Sequence, residues 1–168
     1  MNHIALQTSV QPLPPSAISY LRTCLRFGLV GSMPSPVIAP QQGLLLLSLT
    51  YGAGASVEEL ARMRLEFLIR DGKPSHEVRF DHSVTKHRTT RGVPMHPDIE
   101  ADLVAFRHAF PDEEWVAFRS PRCGATRRDH LPASAITSWF RGCFRQAGLG
   151  QFSVASGRKA FNLNQRRK

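Results

Sequence analysis

A run of eleven residues, QQGLLLLSLTY at positions 41 to 51, is apolar on nearly every side when it is wound into a helix. Such a helix has no polar face to turn toward water, which predicts that other elements bury it. The chain has 168 residues, a length that fits one domain large enough to bury a core. Its longest purely apolar run, residues 44–47, is far shorter than a membrane span, so no membrane partner is expected.

Five other segments carry helix signals. In the first of them, apolar residues recur at helical spacing as far as Leu29. Ser56 and Glu59 have the Ser-x-x-Glu spacing of a capping box, which predicts a helix start. A further helix is expected to begin near Ser156. The predicted helices cover residues 16–29, 56–64, 97–110, 133–147 and 156 onward.

Three short strand-like stretches lie among these helices, at residues 65–70, 77–81 and 91–95. The first two are separated by Asp71-Gly72, a strong hairpin-turn signal. A polar, basic tip separates the second from the third. This order of elements predicts an α+β, mostly helical domain with a small three-stranded antiparallel sheet.

The charge balance points to a polyanionic partner. The chain has 22 Lys and Arg residues against 13 Asp and Glu, a formal net charge of +9 and a pI near 10.5. Cations in loops and on polar helix faces are what contact with phosphates requires, and such contacts position a protein without reading base sequence. The alternative is a basic surface that is merely solvated. The clusters lie at residues 86–91, at 119–128, and on or near the last two predicted helices.

Familiar enzyme and metal motifs are missing from the sequence. It contains no GxSxG, no P-loop, no HExxH and no glycine-rich dinucleotide fingerprint after a strand. Its three cysteines include no CxxC pair, which argues against a disulfide framework or a zinc site. No cofactor or metal is therefore expected. The N-terminus does not resemble a secretory signal, so we expect a reducing cytoplasm as the compartment.

Four segments, in this order, resemble the tyrosine recombinase (phage integrase) family. They are LLLLSLTYGAGASVEELARMRLEFL at 44–68, TKHRTTRGVPMHPDIEADL at 85–103, WVAFRSPRCGATRRDHLPASAITSWFRGCFRQAGL at 115–149 and SVASGRKAF at 153–161. The last lies where the family has its His-x-x-Arg box. The resemblance covers residues 40–168 and implies the fold of a recombinase catalytic domain. Residues 1–39 are then a lead-in with one helix.

The resemblance implies DNA recombination and integration, as in phage and mobile-element enzymes. In that family a tyrosine attacks a DNA phosphate, two arginines and a histidine stabilise the charged intermediate, and a hairpin lysine acts as general acid. Lys86 matches that lysine and Arg158 matches the second arginine. The implied partners are the backbone of double-stranded DNA and other recombinase chains. The residues that match or surround the implied DNA surface are Lys86, Arg88, Arg91, Arg127, Arg128, Arg158 and Lys159.

The chain departs from the family pattern at the catalytic positions. Ser56 stands where the first arginine is expected, and Ala155 stands where the box histidine is expected. The family's nucleophile lies beyond the last residues of this sequence, whose two tyrosines are Tyr20 and Tyr51. Tyr51 ends an apolar helix and is expected in the core. We therefore expect a partial catalytic domain that is inactive alone.

Three hypotheses remain open at this point. The first is a DNA-binding, non-cleaving integrase-like domain or gene remnant. The second is an enzyme completed by the tyrosine of another chain. The third is a protein-interaction or regulatory module that keeps the fold, with an incidental basic face.

Overall fold

The computed structural model describes residues 10–31, 38–85, 89–119 and 129–166. Six α-helices and four short β-strands occupy these residues. The predicted sites Lys86, Arg88, Arg127 and Arg128 lie outside the described residues. The helices are α1 (Pro15–Arg26), α2 (Pro40–Gly52), α3 (Val57–Arg62), α4 (Pro97–Ala109), α5 (Ala133–Gln146) and α6 (Val154–Gln165), and the strands are β1 (Ile69–Arg70), β2 (Lys73–Pro74), β3 (Glu77–Phe80) and β4 (Arg91–Pro94).

Helix α2 is the buried centre that the sequence predicts. Every residue from Gln42 to Gly52 is buried, and α1, α4 and α6 pack around the helix. Its polar members are satisfied internally, as buried polar groups require. The Gln42 amide donates to the carbonyls of Phe118 at 2.9 Å and Val116 at 3.2 Å. This contact ties α2 to the extended segment that precedes α5.

The mostly helical α+β class is confirmed, but the strands are arranged differently from the prediction. They form two separate two-stranded antiparallel sheets, β1–β2 and β3–β4, instead of one three-stranded sheet. Residues 65–67, predicted as the start of a strand, form a 3-10 turn. Leu65 and Leu68 both face the core there. In a strand, residues three apart point to opposite faces. The 3-10 turn instead lets Leu65 and Leu68 bury their side chains on the same side.

The predicted helix starts are confirmed at two places, while one helix end is wrong. The Ser56 hydroxyl accepts from the Glu59 amide and the Glu59 carboxylate accepts from the Ser56 amide, which is the predicted capping box. The last helix begins at Val154, two residues before the predicted Ser156. Helix α1 ends at Arg26, so Leu29 lies beyond it with 68% of its surface exposed.

Helix α6 docks on α2 through a glycine. A Cβ added at Gly157 would overlap the Thr50 hydroxyl and come within 3.0 Å of the Thr50 Cβ. Thr50 cannot easily move away, because it is buried and its hydroxyl donates to the Leu47 carbonyl at 2.7 Å. The absence of a side chain at Gly157 therefore sets how closely the two helices approach.

We expect Gly157→Ala to destabilise the protein by about 1–3 kcal/mol, because overpacking a close contact forces neighbouring atoms to shift. The matched control is Gly150→Ala, where an added Cβ meets nothing within 4 Å. Urea unfolding measures both. Replacing Thr50 with alanine in the Gly157→Ala background removes the obstructing hydroxyl and should recover part of the loss. Equal stability of the Gly157 and Gly150 variants would contradict this account of the docking.

Candidate nucleic-acid interface

The turn between α2 and α3, residues 53–56, is where three of the predicted segments meet. Gly54 has a left-handed backbone, with φ at +66°, a conformation that glycine adopts readily. An added Cβ there would come within 2.5 Å of the Phe161 ring on α6. From the other side, the Arg91 guanidinium donates to the Ala53 carbonyl at 3.1 Å. The turn thus joins α3, β4 and α6.

Ser56, the residue at the expected first-arginine position, is the N-cap of α3. Its hydroxyl and amide are both used in the capping box with Glu59. The guanidinium beside the same carboxylate comes instead from Arg91, whose Nη2 lies 2.9 and 3.0 Å from the two Glu59 oxygens. A cation is therefore present next to this turn, but strand β4 supplies it and Glu59 neutralises it.

Arg158 lies on an exposed stripe of α6. Ala155, Arg158, Asn162 and Arg166 are all exposed and follow one another at helical spacing. The stripe contains no carboxylate. Ala155, at the expected histidine position, lies on the same stripe as Arg158 and brings no titratable group to it. Arg158 is thus free of local charge compensation from its own helix.

Lys159, the neighbour of Arg158, turns toward the N-terminal segment. Its ammonium donates to the Val10 carbonyl at 2.5 Å. The Leu13 amide also donates to the Ser156 carbonyl, at 3.0 Å, and Leu13 is buried. The residues before α1 therefore lie along the start of α6, and the Lys159 ammonium already has an acceptor from within the protein.

The charges of the chain are segregated along the sequence. All 13 carboxylates fall between Glu58 and Asp129. Residues 131–168 contain seven Arg and Lys residues and no Asp or Glu. On α5 the exposed stripe consists of Ser134, Ser138, Arg141 and Arg145, on the side opposite the buried Phe140 and Phe144. Both C-terminal helices therefore present cations to solvent without a carboxylate of their own.

Arg141 and Arg145 belong to the basic cluster predicted on the last two helices, but they were not among the residues assigned to the expected DNA surface. The signal that could have found them is the lack of any carboxylate after Asp129, together with the helical spacing of α5. That spacing places these two arginines on the face away from the apolar stripe.

Tyr51 is confirmed as a core residue. Its hydroxyl donates to Asp98 at 2.6 Å and accepts from Arg22 at 3.0 Å. Burial raises the pKa of Tyr51 well above its usual range, and the hydrogen bond to Asp98 adds to the effect. Arg22 also forms two hydrogen bonds to Asp102, at 2.6 and 2.9 Å. The Tyr51 oxygen is thus held as a neutral hydroxyl among charged partners inside the protein.

Tyr20, the other tyrosine, is on the surface of α1, with 52% of its area exposed. A side-chain hydrogen bond with Cys24 is the main reason that the pKa of Tyr20 is raised. Within the described residues, no hydrogen bond joins either tyrosine side chain to Arg158 or to the turn at residues 53–56.

Comparison with known proteins gives a structural match. The chain is similar to the crystal structure of a lambda integrase dimer bound to a COC′ core site, with a TM-score of 0.58 and 12% sequence identity. The match covers 90% of this chain and 39% of that chain. No protein-family model matches the sequence, and no curated protein matches it. At this identity the likeness establishes the fold, which is the recombinase-like fold that the sequence resemblance implies.

The described residues offer neither a membrane-spanning helix nor a cluster of metal ligands. None of the helices in that part of the chain is long and apolar enough to cross a membrane. The same residues contain no group of three or more His, Cys, Asp or Glu side chains arranged to hold a metal ion.

Proposed function

We propose that this chain is an integrase-like domain that binds double-stranded DNA through the phosphate backbone. The observation that carries the proposal is that the exposed stripes of the two C-terminal helices contain no carboxylate and present Arg141, Arg145, Arg158 and Arg166 to solvent. Backbone phosphates attract such a surface because binding releases condensed counterions. The structural neighbour, an integrase bound to a core site, supports DNA as the partner.

The predicted loop cations complete the proposed surface. Lys86 and Arg88 belong to the segment between β3 and β4, and Arg127 and Arg128 belong to the segment before α5. These four residues enter the proposal on sequence grounds. Lys159 is expected to contribute less to DNA binding, because its ammonium already donates to the Val10 carbonyl.

We also propose that the chain does not cleave DNA by itself. Arg158 and Lys86 are retained from the family pattern, but Ser56 and Ala155 supply neither the first guanidinium nor the imidazole. Removing one preorganised donor from a comparable site costs about 10²–10³ in rate. In addition, Tyr51 is held in the core by Asp98 and Arg22, so its oxygen is not available to attack a phosphate.

Binding is tested by titrating the protein into a fluorescently labelled duplex and following anisotropy. We expect a dissociation constant of about 1–100 μM that weakens steeply between about 50 and 200 mM salt. Duplexes of unrelated sequence should bind equally, since phosphate contacts carry no sequence information. No change in anisotropy at the lowest salt would contradict DNA binding and favour a protein-interaction module.

The absence of cleavage is tested with a suicide substrate, a nicked duplex that traps any covalent protein–DNA adduct. We expect no adduct with the protein alone. An adduct that forms only with a second, tyrosine-bearing recombinase chain would support the hypothesis of completion by another chain. An adduct with this chain alone would contradict the proposal.

A further inference from the structure

The Arg91 side chain makes polar contacts with three of the other described residues. Its guanidinium donates to both Glu59 oxygens and to the Ala53 carbonyl, and Nη2 lies 3.5 Å from the Gly54 carbonyl. The same group lies 3.6 Å above the centre of the Phe80 ring, within cation–π range. Side-chain exposure is 30% for Arg91 and 7% for Glu59. These contacts hold the guanidinium from several directions at once.

These contacts connect two parts of the proposed DNA surface. Arg91 opens β4, and Phe80 is paired with it across the β3–β4 hairpin. The carbonyls that Arg91 reaches belong to the turn against which the Phe161 ring of α6 packs. Arg158 lies one helical turn before Phe161. Arg91 therefore links the hairpin to the helix that presents Arg158, through the turn at residues 53–56.

We propose that Arg91 is a positioning residue, which locks the β3–β4 hairpin to the α2–α3 turn so that hairpin and α6 face the same duplex. This inference rests on the proposed function, and it replaces a phosphate contact as the role of Arg91. A guanidinium that is paired with a buried carboxylate carries little net charge toward a phosphate. Its planar fork instead holds two partners at once, with Nη2 on the Glu59 carboxylate and Nη1 on the Ala53 carbonyl.

Three variants distinguish a positioning role from a direct phosphate contact, because the two roles predict different changes in DNA affinity. Arg91→Lys keeps the cation, but an ammonium cannot hold Glu59 and the Ala53 carbonyl with a planar fork while it lies flat over Phe80. Glu59→Gln keeps Arg91, removes its carboxylate and raises the net charge by one. Glu58→Gln is the matched control, since it adds the same charge from an exposed position on the same helix. DNA affinity is measured for each at a temperature where circular dichroism shows it folded.

We expect Arg91→Lys and Glu59→Gln each to weaken DNA binding on the order of tenfold, while Glu58→Gln binds as well as or better than the parent protein. A direct phosphate contact would instead leave Arg91→Lys unchanged and make Glu59→Gln tighter. Unchanged affinity in both variants would mean that the pair only stabilises the fold. Either of these results would overturn the proposal.

Hydrogen exchange tests the link without DNA. The Gly92 and Val93 amides of β4 and the amides of α6 should exchange faster in Arg91→Lys than in the parent protein, because the link between them is weakened. Unchanged exchange would overturn the link itself. If the parent protein fails to bind DNA but exchange responds as expected, the failure belongs to the proposed function and not to the link.

Discussion

Asp102→Ala is expected to lower the free energy of unfolding by about 3–5 kcal/mol, the typical effect of breaking a buried ion pair by removing one partner. Asp102 pairs with Arg22 across α4 and α1, with side-chain exposures of 6% and 12%. Without the carboxylate, the hydrogen bond to the Tyr51 hydroxyl is the one that the Arg22 guanidinium keeps within the described part of the chain. Asp98, which acts on Arg22 through a charge interaction without a direct hydrogen bond, then compensates the remaining charge less completely than Asp102 does. Urea unfolding followed by tryptophan fluorescence gives the value.

Two controls separate an unpaired charge from a lost contact. In Arg22→Met with Asp102→Leu both charges are removed, and we expect this double variant to be more stable than Asp102→Ala. Arg70→Ala removes one member of the Arg70–Asp71 pair, whose side chains are 81% and 95% exposed. We expect no measurable change there, because solvent screens such pairs. Equal free energies of unfolding for Asp102→Ala and Arg70→Ala would contradict the conclusion that the Arg22–Asp102 pair stabilises the packing of α1 on the domain.

Replacing Arg141, Arg145 and Arg158 together with glutamine is expected to produce the largest loss of DNA binding. Each phosphate contact contributes about 0.9 to the slope of log affinity against log salt, so three lost contacts reduce the slope by about 2.7. All three side chains are exposed on carboxylate-free helices, so the substitution should leave the fold intact. Anisotropy titrations at four or more salt concentrations give the slope.

The control is a second triple variant, which changes the net charge by the same amount at arginines outside the proposed surface. Arg26, Arg70 and Arg107 are exposed and lie on α1, β1 and α4. Their combined replacement with glutamine should lower affinity far less and leave the slope nearly unchanged, because none of them belongs to the proposed surface. If both triple variants lose the same slope, binding depends on net charge alone and the proposed surface is wrong.

Local sequence patterns predicted much of the helical framework. The all-apolar face of residues 41–51 indicated the central position of α2, because a helix without a polar face must be covered. Ser56 and Glu59 indicated the start of α3, since a capping box needs only residues within one turn. The prediction that α1 extends to Leu29 was wrong. Its spacing continues the apolar stripe of α1, but the helix ends at Arg26 and leaves Leu29 exposed.

The candidate site was predictable only in part. The position of Arg158 followed from its place in the SVASGRKAF segment, and its exposure agrees with a role at the surface. Arg91 was assigned to the DNA surface because it is a cation beside a basic tip. Its pairing with Glu59 joins residues that are 32 positions apart, so no local pattern could indicate it.

The sequence by itself determined which segments become helices, that α2 is buried, and that the cations outnumber the carboxylates. These properties depend on side-chain periodicity and composition, which are local or additive. Only the tertiary structure decided which cations are paired with carboxylates. Arg22 and Arg91 are paired with Asp102 and Glu59, whereas Arg158 lies on an exposed stripe without a carboxylate. The reason is that the charge a residue presents depends on the distance to its partners, and folding sets those distances.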